Sequence, residues 1–131
     1  MKNCKSVATP LVPNEHIRDA TVEEEEAFKR INVNFRSAVG SINYLSTATH
    51  PNFSHAVSSL PQDLERPGML HWKAFLHVLK YLCGTQEVRL FYSRKGPPGL
   101  IAFSNTDWGN CHVTWQSTSG FLAQLHGCLV L

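Results

Sequence analysis

Lys73, His77 and Lys80 stand at i, i+4 and i+7 in the middle of this 131-residue chain, a spacing that puts all three on one face of a helix. Such a face suits contact with the phosphates of a nucleic-acid backbone, although an ordinary solvated helix surface has the same spelling. Residues that could break bonds are scarcer. The sequence contains no glycine-rich phosphate loop, no G-x-S-x-G, no H-E-x-x-H and no Y-x-D-D. From residue 97 onward Asp107 is the sole carboxylate side chain, whereas two-metal phosphodiester chemistry needs several anionic oxygens converging on ions about 4 Å apart. The four cysteines, Cys4, Cys83, Cys111 and Cys128, form no C-x-x-C pair and are too widely spaced for a zinc ribbon or a disulfide framework. His50/His55 and His71/His77 lack cysteine or carboxylate neighbours, so the histidines are expected to be structural or superficial and no metal site is expected.

The elements that must carry these residues follow from apolar spacing. Residues 5–14 hold Pro10 and Pro13 and no apolar period, which predicts a linker laid along a surface. Thr21-Val22-Glu23-Glu24 spells a capping box and opens a short acidic helix, on which Glu25–Lys29 and Glu26–Arg30 would pair at i, i+4 as part of a solvated face. Phe35, Val39, Ile42 and Leu45, with Ala38 beside them, predict one helix; Phe53, Ala56, Val57, Leu60 and Leu64, opened by Pro51, predict the next. Pro61 must kink or stop that second helix, because it lacks a donor and clashes with the carbonyl of Val57. The third helix is the most strongly patterned, with Trp72, Phe75, Leu76, Leu79, Leu82 and Cys83 closed by Gly84. Beyond it the pattern becomes strand-like: Val88 to Tyr92, a turn over 94–99, then Leu100–Phe103, Ser119–His126 and a last strand from Leu129. A strand stopping at Leu131 suggests truncation.

An apolar fraction of 43% supports a packed core rather than disorder, and no apolar run is long enough for a membrane span or a secretory leader. With the dispersed cysteines this points to reduced thiols inside a cell, not to a secreted protein. Charge is uneven: residues 35–96 carry a net +4, against −1 on either side. A basic middle is compatible with a polyanionic partner.

Several segments, in order, resemble copia-type retrotransposon Pol polyproteins. Phe35-Arg36-Ser37-Ala38-Val39-Gly40-Ser41-Ile42-Asn43-Tyr44-Leu45 is similar to their YRSAIGSLLYL stretch, and Thr49 to Val57 to TRPDI-x-x-AV. His71-Trp72-Lys73-Ala74 with Val78 to Thr85 resembles HWKA…VLRYLKGT. Ser104 to Asn110 with Gln116 to Phe121 resembles SDADWAG…RSTSGY, the opening of the element's ribonuclease H. Lys5 to Leu11 echoes the KPVSTPL linker after the polymerase palm.

The resemblance implies an α+β chain. Residues 1–33 would be a linker and short acidic helix, and 34–96 a three-helix reverse transcriptase thumb or connection. Residues 97–131 would hold the first antiparallel strands of a truncated ribonuclease H-like sheet. The palm with its aspartates would precede Met1, and the next nuclease carboxylate would follow Leu131. The partner implied is an RNA–DNA hybrid or template-primer, gripped through Lys73, His77 and Lys80, with neither a membrane nor a small-molecule cofactor. The parent enzymes use Mg²⁺ held by carboxylates, and here the chain departs from them. Asn105 occupies the position of the first ribonuclease H aspartate, Asp107 persists nearby, and Trp115 replaces a basic residue. A neutral amide lacks the charge to share two cations. Asn52, His50, Pro61 and Asp63 are further departures, and a buried Asp63 would be costly. The expectation is a Pol segment without catalysis of its own; the alternative is a non-catalytic nucleic-acid-binding module.

Overall fold

A computed structural model describes residues 4–13, 17–60, 64–109, 115 and 117–130. The chain divides into two compact units between Glu87 and Val88.

The first unit is helical: α1 (Val22–Lys29), α2 (Phe35–Ala48), a 3₁₀ turn (Pro51–Phe53), α3 (Ser54–Ser59) and α4 (Met69–Gly84). Helix α1 begins with the capping box that its sequence spells. Thr21 Oγ1 accepts the Glu24 N–H at 3.4 Å, and Glu24 Oε2 accepts the Thr21 N–H at 3.0 Å. Its acidic residues do not pair along the helix as expected. Glu24 takes a two-toothed contact from Arg18, and Arg66 Nη2 stands 2.8 Å from Glu25 Oε1, an ion contact without the angle of a hydrogen bond. An exposed i, i+4 pair is worth only about 0.3–0.5 kcal/mol, so a partner that tertiary packing delivers to a half-buried carboxylate readily displaces it. The one buried side chain of α1 is Phe28, which meets Phe35 edge-on at 5.8 Å and Trp72 at 6.0 Å.

Helix α2 is capped by Asn34, whose side chain accepts the Ser37 N–H. It buries Phe35, Val39, Ile42 and Ser46, spaced i, i+4, i+7 and i+11. Leu45, expected on that stripe, is 39% exposed, because the 3.6-residue period brings the next position to the core. Ser46 tolerates burial by returning its hydroxyl to the Asn43 carbonyl at 2.8 Å. Pro51 opens the 3₁₀ turn, where its missing N–H matters least, and Asn52 donates to the Tyr81 hydroxyl at 2.8 Å. Helix α3 buries Ala56 and Val57 and leads into the buried Leu60. Pro61 and Asp63 lie outside the described residues.

Helix α4 closes the core, and its buried line is rotated from the expected stripe. His71, Phe75 and Val78 are buried, Trp72, Leu79 and Leu82 are partly so, and Leu76 is 37% exposed. A fully buried histidine is what shifts the line: His71 Nδ1 accepts the Gly68 N–H at 3.1 Å, capping the helix from within. Gly68 is required by proximity, since a Cβ there would come 2.5 Å from the Ala20 side chain.

The second unit holds β1 (Leu100–Thr106), β2 (Ser119–Leu125) and β3 (Cys128–Leu129), antiparallel in the order β1-β2-β3. Leu100 pairs with Leu125 and Thr106 with Ser119; Gln124 pairs with Leu129. The β2–β3 turn places His126 and Gly127 at φ 50° and 75°, the left-handed pair that matches strand twist in a two-residue hairpin. Residues 88–92, expected as a strand, form none. Their alternation reflects no buried face, for Val88, Leu90, Phe91 and Tyr92 are all exposed. Instead the segment is tied at Ser93, whose N–H reaches Cys128 Sγ at 3.2 Å while the thiol donates back to the Ser93 carbonyl at 3.5 Å. Gly96 packs so tightly on the His126 carbonyl that any Cβ would collide with it.

Candidate nucleic-acid interface

Lys73 and Lys80 lie two turns apart on α4, both exposed, and neither is ion-paired with a described carboxylate. The helix presents them because its other face is committed to the core through His71, Phe75 and Val78. About 10 Å of helix axis separates them, at 1.5 Å per residue.

His77 lies between them but is already engaged. Its Nε2 is 3.0 Å from the Thr9 carbonyl; since a carbonyl only accepts, Nε2 must carry the proton. The N-terminal stretch therefore runs along α4 as a strap. Ser6 packs at Gly84, where an added Cβ would meet the Ser6 Cβ at 2.7 Å, and Leu11 and Ile17 join the partly buried rim of the core. Strap and helix together line a groove of about 280 Å³, with Leu11, Val12 and Ile17 opposite Lys73, Ala74 and Lys80. The surface-laid linker is the one that the two prolines predict. Its landing place on the basic face was not legible, because no local pattern links Thr9 to a histidine 68 residues away.

The residues expected near nuclease chemistry lie in the second unit. Asn105 is exposed on β1 opposite Gly120. Asp107 closes the wide end of the β1–β2 hairpin: its N–H donates to the Thr118 carbonyl at 3.1 Å, and its Oδ1 accepts the Thr118 N–H at 2.7 Å. One carboxylate oxygen is thus spent on backbone. Among the described residues no three His, Cys, Asp or Glu side chains converge. An amide and one engaged carboxylate do not fit a pair of Mg²⁺ ions, which require charged oxygens converging from several residues. Trp115 and Trp108 stand 75% and 99% exposed in the same loop.

Similar proteins fall into two kinds. The retrovirus-related Pol polyprotein from transposon TNT 1-94 of Nicotiana tabacum is 34% identical over 131 residues, 97% of this chain but 10% of that polyprotein. Two shorter proteins also match. The secreted RxLR effector protein 161 of Plasmopara viticola is 41% identical over 96 residues, 73% of this chain and 68% of that protein. An uncharacterized mitochondrial protein of Arabidopsis thaliana is 31% identical over 131 residues, all of this chain and 52% of its own length. The chain therefore spans about a tenth of the polyprotein and about half of the mitochondrial protein. No protein-family profile and no solved structure matches the chain.

Proposed function

The chain belongs to the copia-type retrotransposon Pol polyprotein family, and from that premise we propose that it is a non-catalytic Pol segment that holds nucleic acid through α4. In this reading residues through Glu87 correspond to the thumb or connection behind the polymerase site, and β1 to β3 to the start of a ribonuclease H-like sheet. Lys73 and Lys80 contact phosphates of an RNA–DNA hybrid or template-primer, while His77 holds the strap that borders them.

The observation that carries the proposal is the pair of exposed lysines, without described carboxylate partners, on a helix whose opposite face is core. The same helix would need no rearrangement to meet a polyanion. Absence of catalysis is supported by Asn105 at the first carboxylate position and by the hydrogen bond that occupies Asp107. The short relatives support a segment that occurs apart from a long polyprotein.

The test is a salt titration of an RNA–DNA hybrid with the whole chain, scored for binding and, with Mg²⁺ supplied, for cleavage and primer extension. Two phosphate contacts give a slope of log K against log salt of about −1.8, and Lys73→Ala with Lys80→Ala should flatten it toward zero. Strand cleavage abolished by Asp107→Ala would reject the non-catalytic reading. Failure to bind hybrid at low salt would reject the interface.

A further inference from the structure

The segment that follows α4 places two bare rings next to a cluster of cations. Phe91 is 85% exposed and Tyr92 62%, and Arg94 and Lys95 come next after a single serine. No carboxylate side chain occurs between Glu87 and Asp107, so the surrounding 19 residues are purely cationic where they are charged. The segment is held rather than loose: Ser93 is bonded through both its N–H and its carbonyl to the buried Cys128, and the Lys95 N–H donates to the Ser93 hydroxyl at 3.2 Å. Rings and cations are thus mounted on backbone fixed to the sheet at one point between them.

Leaving two aromatic rings in water is unfavourable, because each forgoes the burial that its apolar area would otherwise gain. A ligand that covers them should also answer the positive charge beside them. Apolar protein surface answers the first need alone, and a paired duplex answers the second alone, since its base faces are already stacked. A single-stranded polynucleotide answers both, with a π-face on every base and a phosphate on every unit.

We propose that residues 91–95 form a site for single-stranded nucleic acid, in which Phe91 and Tyr92 stack on bases and Arg94 and Lys95 contact the adjoining phosphates. Five residues span at most about 18 Å even when fully extended, so rings and cations lie within the reach of a few nucleotides. The site lies in the second unit and is made of other residues than the α4 face, so the two stand or fall separately.

Fluorescence anisotropy of the whole chain with labelled oligo(dT) of about 15 nucleotides, at low salt, tests the site. Phe91→Ala with Tyr92→Ala should weaken binding at least about tenfold, whereas Phe91→Trp with Tyr92→Trp should preserve it. Arg94→Ala with Lys95→Ala should reduce the salt slope by about 1.4. In a Lys73→Ala, Lys80→Ala background, where the phosphate contacts of α4 are already removed, Phe91→Ala with Tyr92→Ala should still cost at least about tenfold. The rings are exposed, so unchanged far-ultraviolet circular dichroism should accompany the alanine variant. The proposal is overturned if oligo(dT) does not bind, if the alanine variant binds as tightly as the parent, or if oligo(dT) binding disappears with Lys73 and Lys80 instead.

Discussion

Glu24 makes three separate connections at the start of α1. Its carboxylate accepts the Thr21 N–H and both nitrogens of the Arg18 fork, while its own N–H goes to the Thr21 hydroxyl. The Thr21 backbone bond first, and Arg18 second, hold its carboxyl below the ordinary glutamate range. A lowered folded-state pKa makes the carboxylate's contribution complete above the unfolded pKa and removes it as pH falls through the folded one. Glu24→Gln, which keeps the shape and an acceptor, should therefore melt below the parent at neutral pH. The gap should close in acid below the usual carboxylate range; a gap that stays constant with pH would show that the charge contributes nothing. The Thr21–Glu24 half of this cluster was legible, because a capping box is a spelling four residues long. Arg18 was not, since it lies before the helix and its approach depends on how the chain enters it. Arg66 on Glu25 was still less so, at 41 residues' separation.

At the scale of elements, α4 serves the core on one side and the strap on another. His77 was grouped with Lys73 and Lys80 by spacing alone, and the structure brings it onto the Thr9 carbonyl. His77→Phe should therefore loosen the strap by about 1 kcal/mol, the net worth of a hydrogen bond. Trypsin should cut faster after Lys5 in the strap, while the amide of Val78, inside α4, stays protected from exchange. If strap protection is unchanged and hybrid binding is lost instead, His77 is a phosphate ligand rather than an anchor. The expected strand over 88–92 failed for a related reason. Alternation makes a strand only where one face is buried against something, and here both faces meet water.

Over the whole molecule the two units are unequal in buried apolar mass. The helical unit buries four phenylalanines, Phe28, Phe35, Phe53 and Phe75, with Val39, Ile42, Val57, Leu60 and Val78. In the sheet unit the buried side chains among the described residues are Ala123 and Cys128, both small. Three strands are about the minimum for independent stability even with an apolar face to bury. Amides of β1 and β2 should thus exchange through openings of lower free energy than those of α2 and α4, and lose protection at lower denaturant. A single shared opening energy across both units would contradict this.

Periodicity and turn chemistry by themselves determined the capping box of α1, the helices over 35–48 and 69–84, the break after Gly84 and the two main strands, since each depends on neighbours within about eight residues. That Asn105 stands in place of an aspartate is implied by the family resemblance alone, not by spacing. Only tertiary packing decided that His71 and Ser46 are buried, that His77 is spent on Thr9, that Asp107 closes a hairpin, and that Phe91 and Tyr92 remain bare. Those outcomes depend on which distant segment arrives to cover a side chain. Burial and partnership across tens of residues are settled by competition among whole elements, for which no local spacing is a sufficient record.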